Sequence, residues 1–199
     1  YRIFYYNPQL ANKSASPIYK RINSMDHLPI FINIRKKPCL VIGGGDIALR
    51  KIHLLLKAQA KVECLSLLFS RDIKKLSKNG QITLINKSFE DTDIKDYSII
   101  IAATDNSSVN SSISSIAQVK KIPVNVVDSP ELSSFIMPSI VDRSPLIIAV
   151  SSSGKAPVLS RIIRAKLETV IPSAYGILAD IAGEYRQKVK DRFSTIKDR

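Results

Sequence analysis

Gly43, Gly45 and Ala48 stand at the spacing Gly-x-Gly-x-x-Ala, directly after the apolar run 39–42 and at the start of a helical repeat of Ile47, Ala48, Ile52, Leu55 and Leu56. A turn of this kind serves anion binding. The first glycine permits the turn, the second lets the backbone approach a pyrophosphate, and the alanine lets the helix pack close to the strand. The first amides of the helix then point at the phosphate charge. Gly-x-Gly alone also suits an ordinary glycine-rich turn, and it is the strand before and the helix after that favour a dinucleotide site. Asp128 is the second chemical candidate. It ends the apolar strand 124–127, where a carboxylate can exchange protons with a bound ligand. Its structural alternative is a turn or helix cap through Asp128-Ser129-Pro130. The two histidines, His27 and His53, read as surface or packing residues. No His/Cys/Glu cluster has metal-ligand spacing, so no stably bound metal is expected. Cys39 and Cys64 fall in the first and second strands and read as buried reduced thiols.

The elements that must position these groups alternate. A strand over 39–42 leads to a helix over 47–57, a strand over 62–67, a loop around Asn79-Gly80 and a strand over 82–85. A continuous apolar strand over 98–103 ends at Thr104-Asp105, where Asp105 is expected to cap a helix carrying Val109, Ile113, Ile116 and Ala117. The strand 124–127 follows. Such β-α alternation predicts an α/β fold with a Rossmann-like, doubly wound parallel sheet. Ligands of that fold sit outside the carboxyl ends of the strands, where Gly43, Leu67, Thr104 and Asp128 fall.

Beyond Asp128 the pattern changes. Residues 134–140 and 146–151 are β-rich, separated by Asp142-Arg143-Ser144-Pro145. A helix is expected over 157–170, with Pro157 in its first turn, and another from near Ser173. The charged stretch 186–199 is expected to fray. Two strands and two helices cannot bury much of a core, so a homodimer joined through residues near 134–170 is expected. The resulting division is an extension over 1–24, a dinucleotide-binding Rossmann domain over 25–132, a small α+β dimerisation segment over 133–172 and a C-terminal helical segment over 173–199. Two departures from pattern stand out. Ser66-Leu67-Leu68 occupy the place of the acid that usually holds the ribose 2′-OH, and nearby Glu63 falls inside the strand. Ala58-Gln59-Ala60 also lacks the glycine common at a helix end.

Composition bounds the function. The chain has 199 residues, 45% of them hydrophobic, and no apolar run approaches the ~20 residues of a membrane span. A cytoplasmic protein is the expectation, with no membrane partner. The net charge of +13 comes from 30 Lys and Arg against 17 Asp and Glu. A basic surface suits nucleic acid, an anionic membrane or a polyanionic small molecule. No basic block interleaved with aromatics and no nucleic-acid module is present, so no nucleic-acid partner is expected. Residues 1–24 begin with Tyr1 and contain Arg2, Lys13, Lys20 and Arg21 without an acid. An organelle transit peptide fits that composition. The expectation is nevertheless a non-structural extension or an upstream start assignment.

Seven motifs, in order, carry a specific resemblance. They are Met25-Asp-His-Leu-Pro-Ile-Phe31, Val41-Ile-Gly-Gly-Gly-Asp-Ile-Ala48 with Arg50-Lys51, Ile101-Ala-Ala-Thr-Asp105, Asn125-Val-Val-Asp128, Ser134-Phe-Ile-Met-Pro-Ser139, Asp142-Arg-Ser-Pro145 and Ala149-Val-Ser-Ser152. From Met25 onward the chain resembles the N-terminal part of the bacterial siroheme synthase family, precorrin-2 dehydrogenase with sirohydrochlorin ferrochelatase. The resemblance implies oxidation of precorrin-2 to sirohydrochlorin with NAD, then insertion of Fe²⁺, a substrate, to give siroheme, by a homodimer. It implies Asp128 as the essential carboxylate and Ser152 as a phosphorylatable serine. Cofactor contacts are expected at Gly43, Gly45, Asp46, Ile47, Leu67, Leu68, Thr104 and Asp105, and substrate contacts at Asn125, Arg143 and Ser152. The choice of NAD over NADP rests on the resemblance. The tetrapyrrole substrates are carboxylate-rich, which gives the basic charge a use, with Arg143, Lys155 and Arg161 as candidates. The full bacterial enzyme adds a C-terminal methyltransferase, an activity not expected of residues 1–199. The competing readings are a nucleotide-sensing Rossmann module without catalysis and a decayed remnant of a longer enzyme. Intact Gly43, Gly45, Asp105 and Asp128 speak against decay.

Overall fold

The computed structural model describes residues 25–193. The extension expected over 1–24 lies outside the described residues, as do positions 194–199. The chain divides into two units, 1–31 and 32–199. Residues 25–31 of the first carry no helix or strand.

The second unit is built on five parallel strands: β1 Pro38–Ile42, β2 Lys61–Leu65, β3 Ile82–Ile85, β4 Ile99–Ala102 and β5 Val124–Val126. Their order is β3-β2-β1-β4-β5, the doubly wound arrangement. Continuous apolar runs suit it because helices cover both faces. Alternate residues take opposite sides. Cys39, Val41, Cys64 and Ile101 pack with Ala48, Ile52 and Leu55 of α1 (Asp46–Lys57) and Ile73 of α2 (Arg71–Lys78). Leu40, Ile42, Leu65 and Ile100 pack with Ile113 and Ala117 of α3 (Ser107–Val119). Burial pushes the Cys39 thiol up to about 11 and the Cys64 thiol up to about 12, so both are inert neutral groups.

Helix α2 precedes the loop expected around Asn79-Gly80, in a stretch for which the sequence pattern predicts no element. It is short and charged, and its apolar stripe is only two residues long, buried Ile73 and partly buried Leu76. Its start is fixed instead by Ser70, whose Oγ accepts the Ile73 N–H at 3.4 Å. Helix α3 begins one residue later than an Asp105 cap requires. Asn106 is the cap, its Oδ1 accepting the Val109 N–H at 3.1 Å. Strand β2 ends at Leu65, so Leu67 belongs to the loop beyond it.

After β5 comes an antiparallel hairpin, β6 Ser139–Arg143 and β7 Leu146–Val150, joined by Ser144-Pro145. The strand expected from 134 therefore starts at Ser139. Residues 133–135 hold β5 without forming a regular strand: Ser134 N–H donates to Val124 O at 2.8 Å, Ser134 Oγ accepts the Val124 N–H at 2.8 Å and Ser133 Oγ the Val126 N–H at 2.9 Å. Asp142 and Arg143, expected between strands, lie within β6. Helix α4 spans Pro157–Val170 and α5 spans Ala174–Arg192. The fraying expected from 186 does not occur before Arg192. A Gln187–Asp191 side-chain bond and basic residues in the last turn support that end. Leu159, Ile162 and Ile163 of α4 and Ile177, Leu178 and Ile181 of α5 are exposed.

Helix α1 ends in a Schellman motif without glycine. Ala60 N–H reaches Leu55 O at 3.1 Å and Gln59 N–H reaches Leu56 O at 2.9 Å, with Gln59 at φ +58°. A side chain in that region is strained, which outweighs glycine's greater freedom in the unfolded chain. Gln59→Gly should therefore raise unfolding stability by about 0.5–1 kcal/mol, read as a higher urea midpoint at unchanged m-value.

Candidate functional site

The loop between β1 and α1 is clamped at two points where no side chain fits. Gly43 takes φ +128°, and a Cβ there would stand 2.2 Å from Ala103 O beyond β4. A Cβ on Gly44 would stand 1.7 Å from Leu68 O beyond β2. Gly45, which precedes the first helical residue, meets nothing within 4 Å. Its open side faces a cleft of about 850 Å³ at the carboxyl edge of the sheet. No side chain caps the first turn of α1, so its amides are presented there without a protein acceptor. A helix N-terminus meeting an open glycine is a cradle for a phosphate. The residues present therefore fit the pyrophosphate of a dinucleotide.

All eight candidate cofactor contacts, Gly43, Gly45, Asp46, Ile47, Leu67, Leu68, Thr104 and Asp105, line this one cleft. Leu67 and Leu68 are 63% and 82% exposed and make an apolar lip, a surface suited to a flat ring. Thr104 Oγ1 donates to Asn110 Oδ1 at 2.7 Å, and Asn110 Nδ2 donates back to Thr104 O at 3.0 Å. That buried asparagine, hidden in the sequence as one polar residue of α3, fixes the far wall. Lys87 also lines the cleft, its ammonium held by Glu90 and Asp93 at 3.3 and 2.8 Å. Glu63 is committed elsewhere: it accepts the Tyr97 hydroxyl at 2.7 Å. Burial and that bond hold the Tyr97 hydroxyl well above its ordinary pKa.

A second cleft, of about 660 Å³, opens beyond β5 and brings together Asp128, Asn125 and Ser152. Asp128 is exposed and held at φ +57°, a left-handed conformation that aspartate tolerates better than most residues. Asn125 is buried, its Nδ2 donating to Phe135 O at 3.0 Å, so it anchors the segment that crosses β5. Ser152 Oγ accepts the Ala156 N–H at 2.9 Å just before α4. Arg50, Lys51 and Arg161 line the same cleft. Arg143 does not join them. Its guanidinium donates to the carbonyls of Ile171 at 2.8 Å, Glu168 at 3.2 Å and Asp142 at 3.0 Å, tying the end of α4 to β6. Among the described residues no group of three or more His, Cys, Asp or Glu is placed to hold a metal ion, and no helix is long and apolar enough to cross a membrane.

Residues 30–139, which contain the first cleft and β1 to β5, match the family model described as "Putative NAD(P)-binding". The chain belongs to this NAD(P)-binding family. Residues 143–169 match the sirohaem biosynthesis protein central model, and 174–199 match the sirohaem synthase dimerisation region. The siroheme synthase of Ruthia magnifica subsp. Calyptogena magnifica is 57% identical over 175 residues, which cover 88% of this chain and 37% of that protein. The siroheme synthase of Vesicomyosocius okutanii subsp. Calyptogena okutanii is 55% identical over 88% of this chain and 38% of its own length. The chain thus spans little more than a third of the relatives it matches. Among solved structures, SirC, precorrin-2 dehydrogenase, shares the fold with a TM-score of 0.73 at 23% identity, over 86% of this chain and 84% of that one. The chain accordingly resembles the N-terminal part of siroheme synthase along its described length.

The glycines separate binding from folding. Gly45→Val adds a side chain to open space, so the protein should fold at parent stability while NAD affinity, read by calorimetric titration, falls at least about tenfold through loss of the phosphate contacts. Gly44→Ala, whose Cβ would strike Leu68 O, should instead lower the melting temperature.

Proposed function

We propose that this chain oxidises precorrin-2 to sirohydrochlorin with NAD and then serves insertion of Fe²⁺ to give siroheme. The observation that carries this reading is the pair of clefts along one sheet edge. One has a phosphate cradle, and the other has an exposed carboxylate among cations. The siroheme synthase relatives and the central and dimerisation models support the substrate class.

Bound NAD supplies the hydride acceptor. The glycine loop and the α1 amides hold its pyrophosphate, and Thr104 with Asp105 borders it at the end of β4. Oxidation removes a hydride and a proton, and Asp128, across the edge in the second cleft, accepts the proton. Insertion of Fe²⁺ displaces two pyrrole N–H protons. The same carboxylate takes these in turn and passes them to solvent, to which it is exposed. Arg50 and Arg161 in the cleft wall draw in a carboxylate-rich ligand. Phosphorylation of Ser152 would place a dianion in that wall and compete with the ligand for those cations. The exposed apolar faces of α4 and α5 fit the interface of a homodimer.

Asp128→Asn keeps the shape and tolerates the left-handed backbone. It should lower both dehydrogenation of precorrin-2 and chelation of supplied sirohydrochlorin by about 10²–10⁴-fold in anaerobic absorbance assays, with NAD affinity unchanged. Near-parent rates for both would sink the shared-carboxylate mechanism. Sedimentation should show a dimer at micromolar concentration and a monomer for the double variant Ile162→Glu, Leu178→Glu; a monomeric parent would count against the interface.

A further inference from the structure

Helix α1 packs on the sheet through Ala48, Ile52 and Leu55. Lys51 lies three residues after Ala48 and four before Leu55, on the flank of the same stripe. The helical period favours an apolar residue there, and the chain places an ammonium. The side chain is half-buried. Burial and then the neighbouring Arg50 push its pKa below the usual lysine range, while the charge of Asp128 opposes them. Among the described residues no carboxylate stands within ion-pair distance of it. A partly desolvated charge without a direct partner is unfavourable in the folded protein. Lys51 nevertheless opens into the second cleft, whose lining holds Arg50, Arg161 and itself against the single carboxylate of Asp128. The rest of the polar lining is mainly serine hydroxyls. Such a wall has an excess of positive charge and donors for anionic oxygens.

We propose that Lys51 is a substrate-binding residue, its ammonium taking a peripheral carboxylate of a polyanionic ring system seated beside Asp128. The proposal rests on the reading of the second cleft as the tetrapyrrole site. Its structural consequence is that α1 serves both clefts. The N-terminal turn meets the cofactor's phosphates, and a residue just over one turn later holds the rim of the substrate. One rigid helix thereby fixes the distance between the two ligands.

The test uses uroporphyrin, a porphyrin with a carboxylate-rich rim, as a probe whose binding needs neither NAD nor turnover. Titration of the unaltered chain, followed by porphyrin fluorescence, should show binding that weakens with salt. Lys51→Met keeps the length and apolar packing of the stem. It should weaken uroporphyrin at least about tenfold, as expected for loss of a hydrogen bond to a charged group, and flatten the salt dependence. Lys51→Arg, which keeps the charge, should retain most of the affinity. NAD affinity of Lys51→Met should match the parent, and its melting temperature should equal or exceed the parent's, since the unfavourable buried charge is gone. Unchanged uroporphyrin affinity in Lys51→Met overturns the assignment of Lys51 and leaves the cleft reading standing. A drop in melting temperature together with loss of NAD binding makes Lys51 a scaffold residue and also overturns it. A parent chain that binds NAD but no uroporphyrin overturns the cleft reading itself.

Discussion

Everything at the functional edge depends on a backbone contact that tolerates no side chain. The β1–α1 loop is wedged between the ends of β2 and β4. Gly43 N–H bonds Leu65 O at 2.9 Å, Ala103 N–H bonds Ile42 O at 2.7 Å, and Ser70 N–H bonds Gly44 O at 2.8 Å. Three neighbouring segments thus grip a few residues, and the two missing Cβ atoms are what let them close. The grip aims the first turn of α1 at the cleft. It also sets where the Leu67–Leu68 lip and Thr104 fall, because those residues follow the same clamped strand ends. At β1 and β4 the chain turns to opposite faces, and this switch point is where a doubly wound sheet opens a ligand crevice.

The parts of the molecule legible in the sequence are those with one dominant cause. Residues 39–42 and 99–102 are too uniformly apolar to be anything but buried strands, and the sheet order follows from packing helices on both faces. Once the order is fixed, strand ends converge, and that is why eight candidates drawn from three separate segments line a single cleft. Illegible features had two competing causes. Helix α2 forms on a serine cap and one buried isoleucine, a signal that charge masks. Residues 133–138 have strand-like composition, but serine hydroxyls take β5 amides that a regular ladder would use, which composition cannot show. Arg143 looked available because its charge is visible in the sequence. Where a long side chain spends its donors is not, and the carbonyls ending α4 claim them. Gln59 is the reverse case: the expected glycine is absent, yet the motif forms, because a strained residue is affordable where two hydrogen bonds close a helix.

Asp105 and Asp128 follow adjacent strands and look equivalent in sequence, and their surroundings make them different. Asp105 stands in the first cleft, beside the start of α3, where the capping role has passed to Asn106. Asp128 stands in the second, one strand farther along the edge. It follows Val127, whose N–H bonds Ala102 O at 2.9 Å, and precedes Ser129, whose N–H turns back to Val126 O at 3.2 Å. These bonds hold the turn that keeps Asp128 left-handed and out in the cleft.

The segment after β5 has a double task. Helix α4 turns Pro157, Ser160 and Arg161 toward the second cleft, and Ser151 and Ser152 reach the same wall from the end of β7. Its opposite flank carries exposed Leu159, Ile162 and Ile163. A helix of this length, attached to the sheet domain mainly through a two-stranded hairpin, has little core of its own to hold it still. Apolar association on the outer flank would remove that freedom and with it the freedom of the cleft wall. In the proposed enzyme, dimerisation and completion of the substrate cleft are therefore one packing problem. A polyanionic ligand bridging α1 and α4 would meet Lys51 and Arg161 on the inner side of the same helix whose outer flank the interface holds.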